Sequence, residues 1–268
     1  MKPAVTCAPD TEADWRARAP WAGILQALGE IGLNTVGVAS SDGLDVLPDG
    51  RSVVVFASGG PALWHAFTAA IASDPSVLTA HAHPLDRFIA RTLHKADPDP
   101  DPAQRMWVRC AFDTERFVDF RPLARQAGLG WDSRLGLLLN PQHGPWLGLR
   151  AACFTTEHLP VTGPLAGHGP CRECGAPCQQ ACPVGAVPAR PDARFSIRSC
   201  ATHKQAGGCK AHCKARQACP QGPASVYPPL EQAYHDDRKF GRTQLARALR
   251  IGADGHIGEG PYWSDWVS

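Results

Sequence analysis

Eight of the eleven cysteines in this chain lie between Cys171 and Cys219. They form two runs and one isolated position: CRECGAPCQQACP over 171–183, Cys200 alone, and CKAHCKARQACP over 209–220. Each run closes on a Cys-Pro pair, Cys182-Pro183 and Cys219-Pro220. A 4Fe–4S cubane needs four thiolates, and paired runs of this kind give three ligands to one cluster and lend the Cys-Pro thiolate to the other. On that pattern Cys171, Cys174, Cys178 and Cys219 hold one cluster, and Cys182, Cys200, Cys209 and Cys213 hold the second. The gaps exceed the tight ferredoxin form, with three residues between Cys174 and Cys178, three between Cys209 and Cys213, and five between Cys213 and Cys219. A different partition of ligands therefore stays open.

Two other chemistries compete for these thiols. A disulfide framework belongs to small secreted chains, and Met1 to Trp21 holds no apolar signal segment. Tetrahedral zinc could use Cys171-x2-Cys174 and Cys209-x3-Cys213 with His203 or His212, but zinc gives no reason for paired Cys-Pro endings. The charge nearby suits an anionic cluster: Arg194, Arg198, Lys204, Lys210, Lys214 and Arg216 follow Asp192 with no acid before Cys219. The same stretch reads equally as a solvated basic face or an RNA contact.

Upstream elements must position this segment. Ile24, Leu25, Leu28 and Ile31 recur at helical spacing from Trp21, and Gly32 is placed to end that helix. Thr35 to Ala39 and Ser52 to Ala57 read as strands around a Pro48-Asp49-Gly50 turn, the second apolar enough to be covered on both faces. Helices follow over Ala62 to Ser73 and from Pro84 to about Lys95, then a DPDPDP linker at 97–102. Met106 to Cys110 and Arg116 to Asp119 read as short strands, and Pro122 to Gln126 as a helix. Leu137 to Leu139 and Leu147 to Phe154 read as the arms of a hairpin, and Thr243 to Ile251 as a last helix. Gly128, Gly130, Gly144 and Gly148 in this region are small enough to let backbone approach a flat cofactor.

At 268 residues the chain can bury a sizeable core, and a net charge of +2 with 19% charged residues excludes a strongly basic nucleic-acid binder. No apolar run is long enough to span a membrane. A reducing cytoplasm is the expected compartment.

The stretch AGLGWDSRLGLLLNPQHGPWLGLR over 127–150 resembles the signature of epoxyqueuosine reductases and their relatives. There a Gly-Leu-Gly-Trp loop, a short apolar strand and a Pro-x-x-Gly turn precede a double 4Fe–4S domain, and Arg198-Ser199-Cys200 matches the lone cysteine between the runs. The resemblance implies an α+β chain: a nitroreductase-like cobalamin-binding domain over 1–165, a ferredoxin-like double 4Fe–4S domain over 166–225, and a C-terminal helix and tail over 226–268 packing back on the first. It places Gly128, Gly130, Trp131, Ser133, Arg134, His143, Gly144 and Trp146 near the corrinoid, and Asp119 as the catalytic proton donor. Gly59 to Leu93 and Asn140 to Trp146 more weakly resemble cobalamin-processing chaperones, in which an arginine near the position of Arg134 engages glutathione.

Two departures from the reductases rank the functions. Asp132-Ser133-Arg134 replaces the common Ile-Gly-Lys, and the chain offers no room after its second run for the helical repeats that hold tRNA. The expected function is therefore a cobalamin-binding iron–sulfur protein that passes electrons from an external ferredoxin or flavodoxin through two 4Fe–4S clusters to cobalt. A tRNA-modifying epoxyqueuosine reductase comes second, and a ferredoxin-like electron-transfer module third.

Overall fold

The structure is a computed structural model that describes residues 12–42, 51–98, 100–101, 103–109, 118–190 and 192–251. Helices α1 (Glu12–Ala17) and α2 (Trp21–Glu30) lead into strands β1 (Thr35–Ser40) and β2 (Ser52–Gly59). Next come α3 (Ala62–Ser73), α4 (Ser76–Thr79), α5 (Pro84–Ala96) and β3 (Arg105–Arg109). Then follow α6 (Phe120–Gln126), β4 (Trp131–Asp132), β5 (Leu138–Leu139) and β6 (Leu147–Thr155). The cysteine segment carries α7 (Pro177–Ala181), α8 (Ile197–Gln205) and α9 (Lys214–Gln217), and the chain closes on α10 (Pro229–Asp236) and α11 (Arg238–Ala248).

The main sheet runs β1-β2-β6-β3 with every neighbour antiparallel. Period-two alternation in β2 explains why all eight of its residues are buried. Val54 and Phe56 point into a core shared with Ile24, Leu28, Phe67 and Ile89, so α2, α3 and α5 cover that face. Val53, Val55 and Ala57 point the other way, onto Phe120, Leu123 and Ala124 of α6. Each such aliphatic or aromatic side chain contributes about 1.5–3 kcal/mol by leaving water. Gly32 ends α2 in the left-handed region (φ 84°), and a Cβ there would stand 2.3 Å from the Leu63 nitrogen.

Three expectations need correction. Leu137–Leu139 and Leu147–Phe154 are not the arms of one hairpin: β5 pairs with β4 through Trp131↔Leu139, while β6 enters the main sheet between β2 and β3. The nine-residue β6 has enough buried length to fill a central position, which two-residue β5 lacks. The last helix begins earlier than Thr243, because Asp237 caps α11 by accepting from the Phe240 N–H at 2.9 Å. Val118 and Asp119 form no strand, since Asp119 is the N-cap of α6. The Pro48-Asp49-Gly50 turn, Cys7, Cys110, Arg116 and the tail beyond Ile251 lie outside the described residues.

Tyr234 of α10 and Leu245 and Ala246 of α11 belong to the core under α3 and α5. No helix among the described residues is long and apolar enough to cross a membrane.

Candidate functional site

Short helical pieces set the cysteines. Cys171 sits in a 3-10 turn, Cys178 in α7 directly after Pro177, Cys182 at the end of that helix, Cys200 inside α8, and Cys213 at the N-cap of α9. The fold brings Cys171, Cys174, Cys178 and Cys219 to the wall of one small pocket, together with Arg134 and Leu139. Burial pushes the Cys178 and Cys219 thiols up, and the neighbouring members of this quartet push both further. The remaining cysteines group separately: burial raises Cys200 and Cys213, with Cys182 and Cys209 adding to Cys200 and Cys209 adding to Cys213. The Ala186 N–H donates to Cys182 Sγ at 3.3 Å.

The described cysteines are free thiols. Among the described residues no three His, Cys, Asp or Glu side chains converge on a point suited to one metal ion. The first quartet lines one pocket without meeting at a point. Two of the expected free cations have internal work: Lys204 pairs with Asp236 at 2.8 Å, and Arg216 donates to the Pro145 carbonyl at 2.7 and 3.1 Å. Arg194, Arg198, Lys210 and Lys214 are exposed.

The residues expected around a corrinoid do not line one open face. A Cβ on Gly128 would stand 2.8 Å from the Thr162 oxygen, on Gly130 2.6 Å from the Leu139 oxygen, and on Gly144 2.2 Å from the Gln221 oxygen. These glycines admit the protein's own backbone. Trp146 is a core residue, 1% exposed, with its ring 5.3 Å from that of Tyr227. His143 is buried, is held neutral by that burial, and shares a 2.8 Å hydrogen bond with Ser225 Oγ. Ser133 Oγ donates to the Leu137 carbonyl at 2.6 Å and closes its own loop. Trp131 is partly exposed, its Nε1 buried without a partner among the described residues.

Arg134 belongs to the cysteine cavity. Its buried guanidinium donates to the carbonyls of Ala189 and Cys171, the latter at 3.2 Å, which ties the β4–β5 loop to the first cysteine run. Asp119 accepts from the Arg121 N–H at 3.1 Å and lies 3.6 Å from the Arg121 guanidinium, both side chains about half exposed. The sequence shows Arg216 only as one of a run of cations and does not single out Tyr227, Glu231 or His235, with which it forms a polar cluster where α9 and α10 meet the start of β6. His235 lies in the polar stretch YHDDR at 234–238.

No family model matches the chain. The mixed α/β fold is one found in two groups of reductases. Over 82% of this chain and 68% of the other, at 14% identity and a TM-score of 0.53, it is similar to an epoxyqueuosine reductase solved with a tRNA-Tyr epoxyqueuosine-modified stem loop. Over 87% of this chain and 37% of the other, at 16% identity and a TM-score of 0.53, it is similar to a reductive dehalogenase whose structure suggests a mechanism for B12-dependent dehalogenation. At such identities the likeness is one of fold.

In sequence the chain is similar to epoxyqueuosine reductases. It is 41% identical over 84 residues to the enzyme of Synechococcus sp. (strain RCC307), covering 30% of this chain and 24% of that protein. It is 38% identical over 94 residues to that of Shewanella oneidensis, covering 32% and 23%. The chain thus matches about a quarter of the length of these curated relatives. The resemblance drawn from the 127–150 signature and the cysteine runs is borne out.

Proposed function

We propose that this protein is an iron–sulfur reductase of the epoxyqueuosine-reductase kind, with two 4Fe–4S clusters and cobalamin, acting on a modified tRNA. The observation that carries this reading is the cavity where Cys171, Cys174 and Cys178 of the first run meet Cys219 of the second. A buried arginine in that wall suits an anionic cluster, and the apolar Leu135 and Leu139 limit water. Bound there, a cluster supplies one-electron transfer. The chain's own residues hold the thiolates apart, aim the Arg134 charge at the site, and donate the Ala186 N–H to Cys182, which tunes potential.

The sequence relatives favour a tRNA-modifying reductase over a protein that only reduces or processes cobalamin, so the order expected from the sequence is reversed. Removing an epoxide oxygen as water consumes two electrons and two protons, which single-electron delivery from an external ferredoxin- or flavodoxin-type donor in a reducing cytoplasm would meet. Cobalamin dependence rests on the kinship alone. The glycines and Trp146 expected around the corrinoid are taken up by the protein's own packing, and no step is assigned to them.

The test is anaerobic reconstitution with iron and sulfide, addition of cobalamin, and incubation of the reisolated protein with an epoxyqueuosine-containing tRNA stem loop and a reductant. The expected result is two clusters per chain, retained corrinoid, and loss of one oxygen from the nucleoside by mass spectrometry. Reduction of the corrinoid with an unchanged stem loop would overturn the tRNA reading in favour of cobalamin reduction.

A further inference from the structure

Among the described residues, three buried polar atoms at the junction of α10 with the sheet have no hydrogen-bond partner: Tyr227 Oη, Glu231 Oε2 and His235 Nε2. Tyr227 and Glu231 are each 2% exposed. The three side chains adjoin: Glu231 Oε1 stands 3.7 Å from His235 Nε2, and the rings of Tyr227 and His235 lie 5.6 Å apart. A single buried polar group left unpaired costs about 1–3 kcal/mol. Three together mark a place built for a shared partner, and an ordered internal water makes about three hydrogen bonds to such groups.

We propose that Tyr227, Glu231 and His235 enclose a binding site for one ordered water, across which Glu231 and His235 exchange a proton. Donors and acceptors balance. The protonated Glu231 carboxyl donates to the water, the water donates to His235 Nε2 and to Tyr227 Oη, and His235 carries its own proton on Nδ1. Proton movement is equally balanced. Glu231 yields its proton to the water as the water yields one to Nε2, leaving a carboxylate and an imidazolium, which then releases the Nδ1 proton. The His235 side chain is 22% exposed while its Nε2 is buried.

The charges around the site agree. Burial pushes the Glu231 carboxyl up to about 8, against the opposing pull of Arg150 from β6 and Arg216 from α9. Burial also holds His235 well below the usual histidine range, and Arg150, Arg216 and Lys204 push the same way. Both groups therefore rest uncharged, Glu231 with its proton and His235 able to accept one. The site is joined to the cysteine segment by Gln217 Nε2 donating to Gln232 Oε1 at 3.0 Å, and by the Lys204–Asp236 pair next to His235. Nothing in this inference depends on the substrate, the clusters or the corrinoid.

Infrared spectroscopy of the protein at neutral pH, with transfer from H₂O to D₂O, tests it. A protonated-carboxyl band that Glu231→Gln removes is expected, since Asp86, the other strongly raised acid at about 6, is largely ionised there. Tyr227→Phe should shift the band, and both His235→Phe and His235→Gln should slow its exchange with D₂O at least about tenfold, because neither relays a proton. His235→Gln keeps a polar side chain of similar reach, so slowing in both variants separates relay from packing. Absence of a band that Glu231→Gln removes, or unchanged exchange in the His235→Gln variant, would sink the proposal. So would a high-resolution structure with Glu231 and His235 bonded directly and no water between them.

Discussion

Arg216 lies three residues before Cys219 and has its guanidinium against two touching aromatic rings, with Cζ 4.5 Å from the Trp146 centroid and 4.7 Å from that of Tyr227. It also donates Nε and Nη2 to the Pro145 carbonyl at 3.1 and 2.7 Å. Removing it in Arg216→Ala deletes a charge-assisted hydrogen bond, about 1.5–3 kcal/mol, and two stacked contacts, about 0.5–1 kcal/mol each. The expected loss is therefore about 2.5–5 kcal/mol. Arg216→Lys keeps the charge but neither the fork nor the plane, and should lose about half of that. With a urea slope of about 3 kcal/mol/M, Arg216→Ala moves the midpoint down by about 1 M or more. Because Arg216 fixes α9 against Pro145, cluster loss to a chelator should quicken in the same order, Ala before Lys. If Arg216→Ala unfolds at the parent midpoint and holds its iron equally long, the guanidinium is an ordinary solvated charge and the packing reasoning fails.

On the proposed wiring, in which the second cluster draws on Cys182, Cys200, Cys209 and Cys213, Cys219→Ser should leave about half the parent iron; complete loss by iron assay would overturn that wiring or mean the clusters form only together. Gly144→Ala places a Cβ 2.2 Å from the Gln221 oxygen at φ 56°, and should cost at least about 2 kcal/mol by denaturant unfolding. For Glu231, burial makes the neutral form the favoured one in the folded chain, so its folded pKa of about 8 exceeds the unfolded value near 4.5. Its contribution is therefore full below about 4.5 and is lost as pH rises through about 8, with a slope of up to about 1.4 kcal/mol per pH unit between. Parent stability measured against Glu231→Gln should fall across that window, and a flat difference would show Glu231 already ionised.

How much of this was legible in the sequence depends on what kind of signal each residue gives. Thiols have few uses at such density, so the Cys-Pro endings predicted which cysteines meet, and the structure places Cys219 beside Cys171, Cys174 and Cys178. The apolar run of β2 carried its own burial, and Pro84 marked the first turn of α5. Glycine carries less. It reports that something comes within a Cβ of the chain but not what, and at Gly128, Gly130 and Gly144 that something is the backbone of Thr162, Leu139 and Gln221. Two of these contacts, from Thr162 and Gln221, come from residues distant enough in sequence that no local pattern names them, and the third crosses the β4–β5 pair.

The polar cluster was illegible for the opposite reason. In YHDDR every residue is polar or amphipathic, and helical geometry turns successive ones to different neighbours. Tyr234 goes into the aromatic core against Trp64, His235 toward Glu231, Asp236 to Lys204, and Asp237 to the cap of α11. The i, i+4 spacing of Glu231 and His235 gave them one helix face, which by itself suggests a solvated pair. What buries that face is the Arg216, Trp146 and Tyr227 stack contributed by the cysteine segment and the start of β6. The residues that settle the second cysteine run on the sheet are thus the ones that remove water from Glu231, and Arg216→Lys, which keeps the positive charge beside Glu231 but not the planar contact, should admit water and lower the Glu231 pKa as well as the stability. Infrared titration of the Arg216→Lys protein gives a direct check: a carboxyl that still titrates near 8 would mean the burial of Glu231 owes nothing to that stack.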